Sequence, residues 1–407
     1  MTGSSEQQPV IRVGFIGLGG AAAAMIPKFA RNPRFRITAA ADIDAEILGR
    51  FKRDYPDAEA YSSAEGLCAS KNVDLVYIGT PNRFHREHAV LVAGAGKHAL
   101  VEKPMAVSME DADAMVEAAD RNRVLLGVNV KHSFEPRIQK LREFTRTGEF
   151  GALRMMHHWR YQDWLYRPRT PEELTPEWGG GILWRQGGHQ LDLLRTIGLG
   201  LVRSVRGSAQ VWDPGRRVPG AHAAYFEFES GAMGTCVYSG HDHYESNELV
   251  YGFRTGELAD PESYAEARRE LRSHGNSVEW ETQAARAERY GGDRRQGSAP
   301  AREPRPGGGG WILGGPLVVS YDHADIKLSP GGLMVYGDEK QWEIPLVTAE
   351  DGRDFRLNAF YDAIMTGRPL ECDGRWGRAT VEVLLAIEQS GRERREIMLH
   401  HQTSYPE

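Results

Sequence analysis

Residues 10–22 read VIRVGFIGLGGAA, and this stretch decides the fold. Its first half, 10–16, is a short apolar run rich in β-branched residues, the pattern of a buried strand. Its second half, Gly17-Leu18-Gly19-Gly20-Ala21-Ala22, fits G-x-G-x-x-G/A. There the glycines allow a tight turn and close backbone approach to a pyrophosphate. The start of the helix expected beyond them offers N–H donors and positive potential to that anion. Twenty residues after Ala22, Asp42 ends a second strand-like run, Arg36 to Ala41. An acid at that place accepts hydrogen bonds from the adenosine ribose hydroxyls. Ile43 follows, with no adjacent Arg or Lys to neutralise a 2′-phosphate, so the expected cofactor is NAD, with NADP less favoured.

Further strand patterns occur at Val73 to Gly79, His98 to Val101 and Val124 to Val128. Helix patterns lie between them at Ala45 to Asp54, Arg83 to Ala95 and Met109 to Asn122. This alternation predicts an α/β Rossmann domain over 10–130, a doubly wound parallel sheet. Beyond it the strands become longer and half-buried, at Gly151 to Tyr161, Val202 to Trp212, Ala221 to Phe228 and Gly234 to Ser239. They resume at Leu317 to Tyr321, Ala324 to Leu328, Leu333 to Tyr336 and Gln341 to Ile344, before helices at Asp354 to Met365 and Arg378 to Ser390. The expectation is an α+β domain over 131–395 on an open-faced, mostly antiparallel sheet, whose free face suits assembly into a homodimer or homotetramer. An Arg/Gly/Pro-rich insertion interrupts it at 252–315. Within it, Gly252 to Gly310 carries ten arginines and ten acids, and the last twenty of those residues hold eleven Gly, Pro or Ser. Two exposed helices and then a mobile loop are expected there, and flexible termini at 1–9 and 396–407.

With 407 residues, 41% hydrophobic and 26% charged, the chain is too long for a single ordinary core and too apolar to be disordered. No apolar run approaches the roughly 18 residues of a membrane helix. The opening MTGSSEQQP lacks the basic and apolar parts of a secretory signal, so a cytoplasmic protein is expected. Cys68, Cys236 and Cys372 are three, scattered and without a CxxC pair, which argues against a disulfide framework or a thiolate zinc site. A net charge of −6 gives no general attraction to nucleic acid or to an anionic membrane.

Three more motifs fall into register. Thr80-Pro81-Asn82 with His85 follows one strand region, Glu102-Lys103-Pro104 follows the next, and Gly179-Gly180-Gly181 precedes His189 and Asp192 as G-G-G-x7-H-x-x-D. Together they resemble the glucose-fructose oxidoreductase, inositol dehydrogenase and MocA family, and the closing Gly367-Arg368-Pro369 and its flanking helices are similar too. The resemblance implies a nicotinamide-dependent dehydrogenase. It makes Lys103 the catalytic lysine, His189 its partner at the substrate hydroxyl, and Thr80, Pro81, Asn82, His85, Glu102 and Lys103 itself cofactor contacts. It also implies a Lys103-Pro104 peptide that is often cis. A lysine beside a nicotinamide cation and a histidine titrating near neutrality can each take a hydroxyl proton as hydride leaves carbon.

One departure bears on the substrate. Where sugar- and inositol-oxidising members often carry an aspartate four positions before the histidine, this chain has Arg185, with Arg167 and Arg169 elsewhere in the same region. A guanidinium binds a carboxylate bidentately, so an anionic substrate is expected. Trp159, Tyr161, Trp164 and Trp184 are candidates to wall a flat ring. The phrases W-L-Y-R-P-R, R-Q-G-x-H-Q-x-D and His132-Ser133-Phe134 are similar to the phthalate 4,5-cis-dihydrodiol dehydrogenase subgroup. This places His132, Trp164, Arg167, Arg169, Trp184 and Arg185 at the substrate. No metal is expected: His85/His88 and His241/His243 lack a completing carboxylate or cysteine, His88 reads as solvated, and His400-His401 falls in the tail. The reading is an NAD-dependent oxidoreductase for a secondary alcohol of a cyclic, anionic substrate, with a cis-dihydrodiol giving a catechol as its sharpest form. A sugar or cyclitol dehydrogenase and a non-catalytic dinucleotide sensor are the alternatives.

Overall fold

The computed structural model describes residues 9–241, 243–249, 266–275, 277–292, 313, 315–346 and 352–406. The expected mobility of 291–310 and of residues 1–8 therefore falls almost wholly outside the described residues. The first half alternates β1 (Ile11–Ile16), α1 (Gly20–Arg31), β2 (Phe35–Ala41), α2 (Ala45–Asp54), β3 (Glu59–Tyr61), α3 (Ala64–Ala69), β4 (Leu75–Ile78), α4 (His85–Gly94), β5 (His98–Glu102), α5 (Met109–Asn122) and β6 (Leu126–Asn129). The six strands form one sheet in the order β3-β2-β1-β4-β5-β6, and their pairings are parallel. Helices cover both faces, so the strands are apolar throughout rather than alternating. Val13 and Phe15 of β1 are fully buried, and the Phe15 ring meets Phe29 of α1 edge-on at 5.5 Å. The chain winds outward from β1 to β3 and then crosses back to β4. This reversal opens a crevice at the carboxyl ends of β1 and β4, where a ligand fits in such sheets.

The second half contains α6 (Pro136–Thr147), β7 (Leu153–Tyr161), α7 (Gly188–Ile197), β8 (Val202–Gln210), β9 (Ala221–Phe228), β10 (Met233–Ser239), α8 (Glu266–Ser273) and α9 (Val278–Ala287). It continues through β11 (Leu317–Tyr321), β12 (Ala324–Leu328), β13 (Gly332–Gly337), β14 (Gln341–Pro345), α10 (Gly352–Thr366), α11 (Gly374–Glu393) and β15 (Ile397–Met398). Nine strands form an open sheet in the order β14-β13-β12-β11-β7-β10-β9-β8-β15, antiparallel except at β7/β10. One face packs on α11 and α7; the other carries exposed Met155, Trp159, Tyr161, Met233, Val318 and Tyr336.

A boundary at residue 131 does not partition the packing. Helix α10 returns to α1, where Asn358 accepts from Asn32, Asp362 pairs with Arg34, and Tyr361 meets Phe35 edge-on. Helix α11 spans β8 on one side and α5 and β6 on the other, joining the two sheets into one core. Residues 396–406, where a flexible tail is expected, are held by side-chain bonds. Glu382 of α11 collects the backbone N–H groups of His400 and His401 and the side-chain amide of Gln402. Tyr405 is 6% exposed against Trp376, and β15 adds an edge strand to β8. The insertion helices α8 and α9 form as expected but are not simply exposed, since Leu271 and Glu281 are each 4% exposed.

Candidate active site

A cleft of about 960 Å³ lies at the crevice between the two halves, within the size range of pockets for cofactor-sized ligands. Gly17, at φ +84°, makes the turn out of β1; a Cβ there would lie 2.8 Å from Thr80 Cγ2, so the position admits only glycine without displacement. Gly19 caps α1 with no side-chain bond, and Gly19, Gly20 and Ala21 line the cleft while Ala22 is buried behind them. The helix thus presents main-chain donors to the cavity, which suits a pyrophosphate. At the end of β2, Asp42 Oδ2 accepts from the Leu18 N–H at 2.7 Å and Oδ1 from the Asp44 N–H at 2.9 Å. Those bonds fix the carboxylate at the cleft wall beside Ile43, which is 95% exposed. The residues present fit a dinucleotide.

The loops after β4 and β5 form the floor. Thr80, Pro81, Asn82, Glu102 and Lys103 all line the cleft. His85 does not: fully buried, its ring sits between the carbonyl oxygens of Thr80 (2.9 Å) and Pro104 (3.0 Å) and ties the two loops together. Burial holds its pKa below the ordinary value, against the pull of those carbonyls. His88, expected to be solvated, is half-buried, and its Nδ1 lies 3.0 Å from Thr80 Oγ1. Glu102 Oε1 accepts from the Tyr77 hydroxyl and the Asn129 amide, which fixes the segment carrying Lys103. The Lys103-Pro104 peptide is cis. Lys103 Nζ donates to the main-chain oxygen of Arg185 at 2.7 Å, across the seam between the two halves.

The opposite wall comes from 170–189. Gly179, Gly180 and Gly181 leave no room for side chains: a Cβ would meet Val107 at 2.6 Å, the Thr175 carbonyl at 2.6 Å and Pro219 at 2.8 Å, in that order. They seat a π-helical turn, Leu183–Gly187, that runs directly into α7. Such turns recur at functional sites because they redirect side chains. Arg185, Gln186 and His189 face the cleft, and His132 meets His189 edge-on at 5.2 Å between ring centres.

Arg185 is in place but already engaged. Its Nη1 donates to Asn82 Oδ1 at 3.2 Å, and its Nη2 lies 3.5 Å from Glu173 Oε1. Burial alone would raise the Glu173 carboxyl, but Arg185 and Arg169 hold it below the usual range. Glu173 also closes a capping box with Thr170, yet nothing in its sequence context marked it as a cleft residue.

The remaining substrate candidates lie elsewhere. Arg169 stacks over Trp164 and bonds Glu173 from behind at 3.2 Å. Arg167 is turned to an exposed pairing with Asp163. Trp164 is 2% exposed in a separate cluster with Leu165, Ile182 and Val218. Trp184 is 3% exposed, its indole N–H bonded to Glu388, while Trp159 and Tyr161 point out from the open sheet face. These side chains lie outside the cleft because strand and helix periodicity turned them to other faces. Asp192, the last residue of the glycine-histidine motif, is buried and accepts from Trp376 Nε1 at 2.7 Å. The insertion also reaches the site, since Ala285 and Arg289 line the cleft.

A dinucleotide crevice with a lysine and a histidine facing it defines an NAD-dependent oxidoreductase. Residues 11–130 match the model of the oxidoreductase family with an NAD-binding Rossmann fold, and residues 138–256 match the GFO/IDH/MocA C-terminal domain. The chain belongs to the GFO/IDH/MocA family. It is 33% identical over 386 residues, 94% of this chain and 95% of the relative, to a 1-carboxy-3-chloro-3,4-dihydroxycyclohexa-1,5-diene dehydrogenase of Comamonas testosteroni. A scyllo-inositol 2-dehydrogenase (NADP(+)) of Bacillus subtilis is 34% identical over 134 residues, 33% of this chain and 41% of that one. Among solved structures, a dehydrogenase structure from Bordetella bronchiseptica RB50 superposes with a TM-score of 0.85 at 33% identity, covering 96% of this chain and 100% of that chain. Among the described residues, no helix is long and apolar enough to cross a membrane.

Proposed function

We propose that the protein oxidises a secondary alcohol on a cyclic, carboxylated substrate, of the cis-dihydrodiol to catechol type. The observation that carries this reading is the 2.7 Å bond from Lys103 Nζ to the Arg185 carbonyl. It ties the candidate base to the segment that bears both the cation and, four residues on, His189. Bound in the crevice, nicotinamide supplies the hydride acceptor. Lys103 takes the hydroxyl proton as the carbon–oxygen double bond forms, and His189 orients the hydroxyl and relays the proton. Arg185 holds the substrate carboxylate with the guanidinium edge not given to Asn82, while Glu173 keeps that guanidinium in place. A relative along nearly the full chain bears the name of a dehydrogenase for a carboxylated dihydroxycyclohexadiene, which supports this substrate class. Loss of two hydrogens from such a diol gives a ketone that tautomerises to an aromatic catechol, so the oxidation runs downhill.

A second reading, a cyclitol or sugar dehydrogenase, is favoured by Glu173, an ionised acceptor in the cleft wall suited to neutral hydroxyls. Initial rates of NAD reduction on paired diols that differ only in a carboxylate separate the two. The carboxylated diol is expected to have the higher kcat/KM, and Arg185→Ala to raise its KM roughly 10- to 150-fold with little effect on the neutral diol. Preference for the neutral diol or for polyols would favour the second reading. NAD binding without reduction by any alcohol would indicate a sensor.

A further inference from the structure

Helix α9 and the residues after it form a bridge between the two halves. At its start, Glu281 is pinned to the second half: its Oε2 accepts from Arg216 Nη1 at 2.7 Å and from the Arg169 N–H at 2.8 Å. Both members of the Glu281–Arg216 ion pair are nearly fully buried. At the other end the chain docks on the Rossmann half. The Tyr290 N–H donates to the Leu18 carbonyl at 3.3 Å, the Tyr290 ring packs on Phe51, and Arg50 donates to the Gly291 carbonyl. The Glu288 carbonyl would lie 3.4 Å from a Cβ on Gly20, at the mouth of α1. The strap thus crosses the glycine turn itself. Ala285 of α9 and Arg289, just past the helix end, both line the cleft. Among the described residues, the Arg289 guanidinium makes no ion pair and no hydrogen bond, although acids are abundant around it in sequence.

We propose that residues 278–292 form a strap over the dinucleotide and that Arg289 binds one of its phosphates. A half-buried guanidinium without a carboxylate among the described residues, beside helix N–H groups that already favour an anion, fits a phosphate oxygen bidentately. Two phosphates are within the chemistry: the pyrophosphate at the start of α1, and a 2′-phosphate near the end of β2. The inference rests on reading the cleft as the dinucleotide site, but not on any substrate.

Calorimetric titration of wild type, Arg289→Ala and Arg289→Lys with NADH, NADPH, ADP and 2′-AMP tests it. Arg289→Ala is expected to weaken NADH at least about tenfold, Arg289→Lys to recover part of that, and the difference to shrink with added salt. Weakening shared by NADH, NADPH and ADP assigns the pyrophosphate, whereas weakening confined to NADPH and 2′-AMP assigns a 2′-phosphate. Unchanged affinity for all four, with the variant folded by circular dichroism, overturns the proposal. Dinucleotide binding that depends on Arg289 without any alcohol oxidation would leave it standing while the dehydrogenase reading fell. Turnover with dinucleotide affinity unaltered in Arg289→Ala would do the reverse.

Discussion

Lys103 reaches its place through bonds its neighbours make: Tyr77 and Asn129 hold Glu102, and the Arg185 carbonyl holds the amine. Because the glycine turn and Asp42, which hold the pyrophosphate and ribose, lie on other loops, Lys103→Ala should lose on the order of a hundredfold in kcat while still binding NADH, in line with general-base contributions of about 10²–10⁴. Stopped-flow and equilibrium titration measure the two sides, and wild-type kcat in the variant would remove Lys103 from the chemistry. A different residue contributes a separable part of the pH dependence. Burial pushes the Asp192 carboxyl up to about 6, with Trp376, Arg195 and Arg356 pulling it down. An unfolded aspartate titrates near 3.9, so from about pH 4 to 6 the native state binds a proton that the unfolded chain has lost. The Asp192 contribution to stability should therefore fall as pH rises across that window and level off above it, while buried His158 and His222, held down to about 3, contribute in the opposite sense. The expected change is about 2–3 kcal/mol, absent in Asp192→Asn. Parallel denaturant midpoints for the two proteins between pH 4 and 6.5 would refute it.

At the level of elements, what sequence could reveal depended on whether the signal was local. The β1–glycine turn–Asp42 unit and the loop at Lys103 were legible because each motif sits at a strand end, where topology alone aims it at the crevice. Strand β3 was missed because three residues cannot show a period. The family resemblance implies His85 at the cofactor and Trp164 and Trp184 at the substrate. Each turns into the protein, since a neighbour along a strand or helix points to another face. Arg289 was missed for the opposite reason: within a segment of balanced charge, one arginine aimed at a cleft looks like every solvated one. The glycine triplet is the clearest element-scale case, because its spacing to His189 was readable while its cause, contact with Val107, Thr175 and Pro219, is tertiary. Gly181, at φ +90° with Pro219 behind it, should not tolerate a side chain. Gly181→Ala is expected to destabilise by about 1–3 kcal/mol and to lower kcat by displacing the Arg185–His189 turn. Equilibrium unfolding and turnover unchanged from wild type would show that the turn is not anchored there.

For the molecule as a whole, the open sheet poses the question of what meets its outer face. On β7 the buried residues Met156 and His158 alternate with Met155, Trp159 and Tyr161, which are 37%, 44% and 36% exposed. The in-register pairing with β10 sets Met233 beside Met155 and Val237 beside Trp159, extending the apolar strip across strands. Val318 on β11 pairs with His157 and widens it further. Exposed apolar side chains gathered on one open sheet face mark an association surface, and a second copy of the same face is the simplest complement because one patch then serves both subunits. We therefore expect a homodimer, or a homotetramer built from such dimers. Light scattering on the purified chain should give a mass at least twice that of the monomer across micromolar concentrations. Trp159→Asp, which places an uncompensated charge at the middle of the strip, should shift the mass toward monomer. Its NADH affinity should stay near that of wild type, since the cleft and the strip lie on different parts of the fold. A wild-type protein that remains monomeric at all concentrations would mean that the strip is left to solvent or covered by a different partner, and the self-association reading would fail.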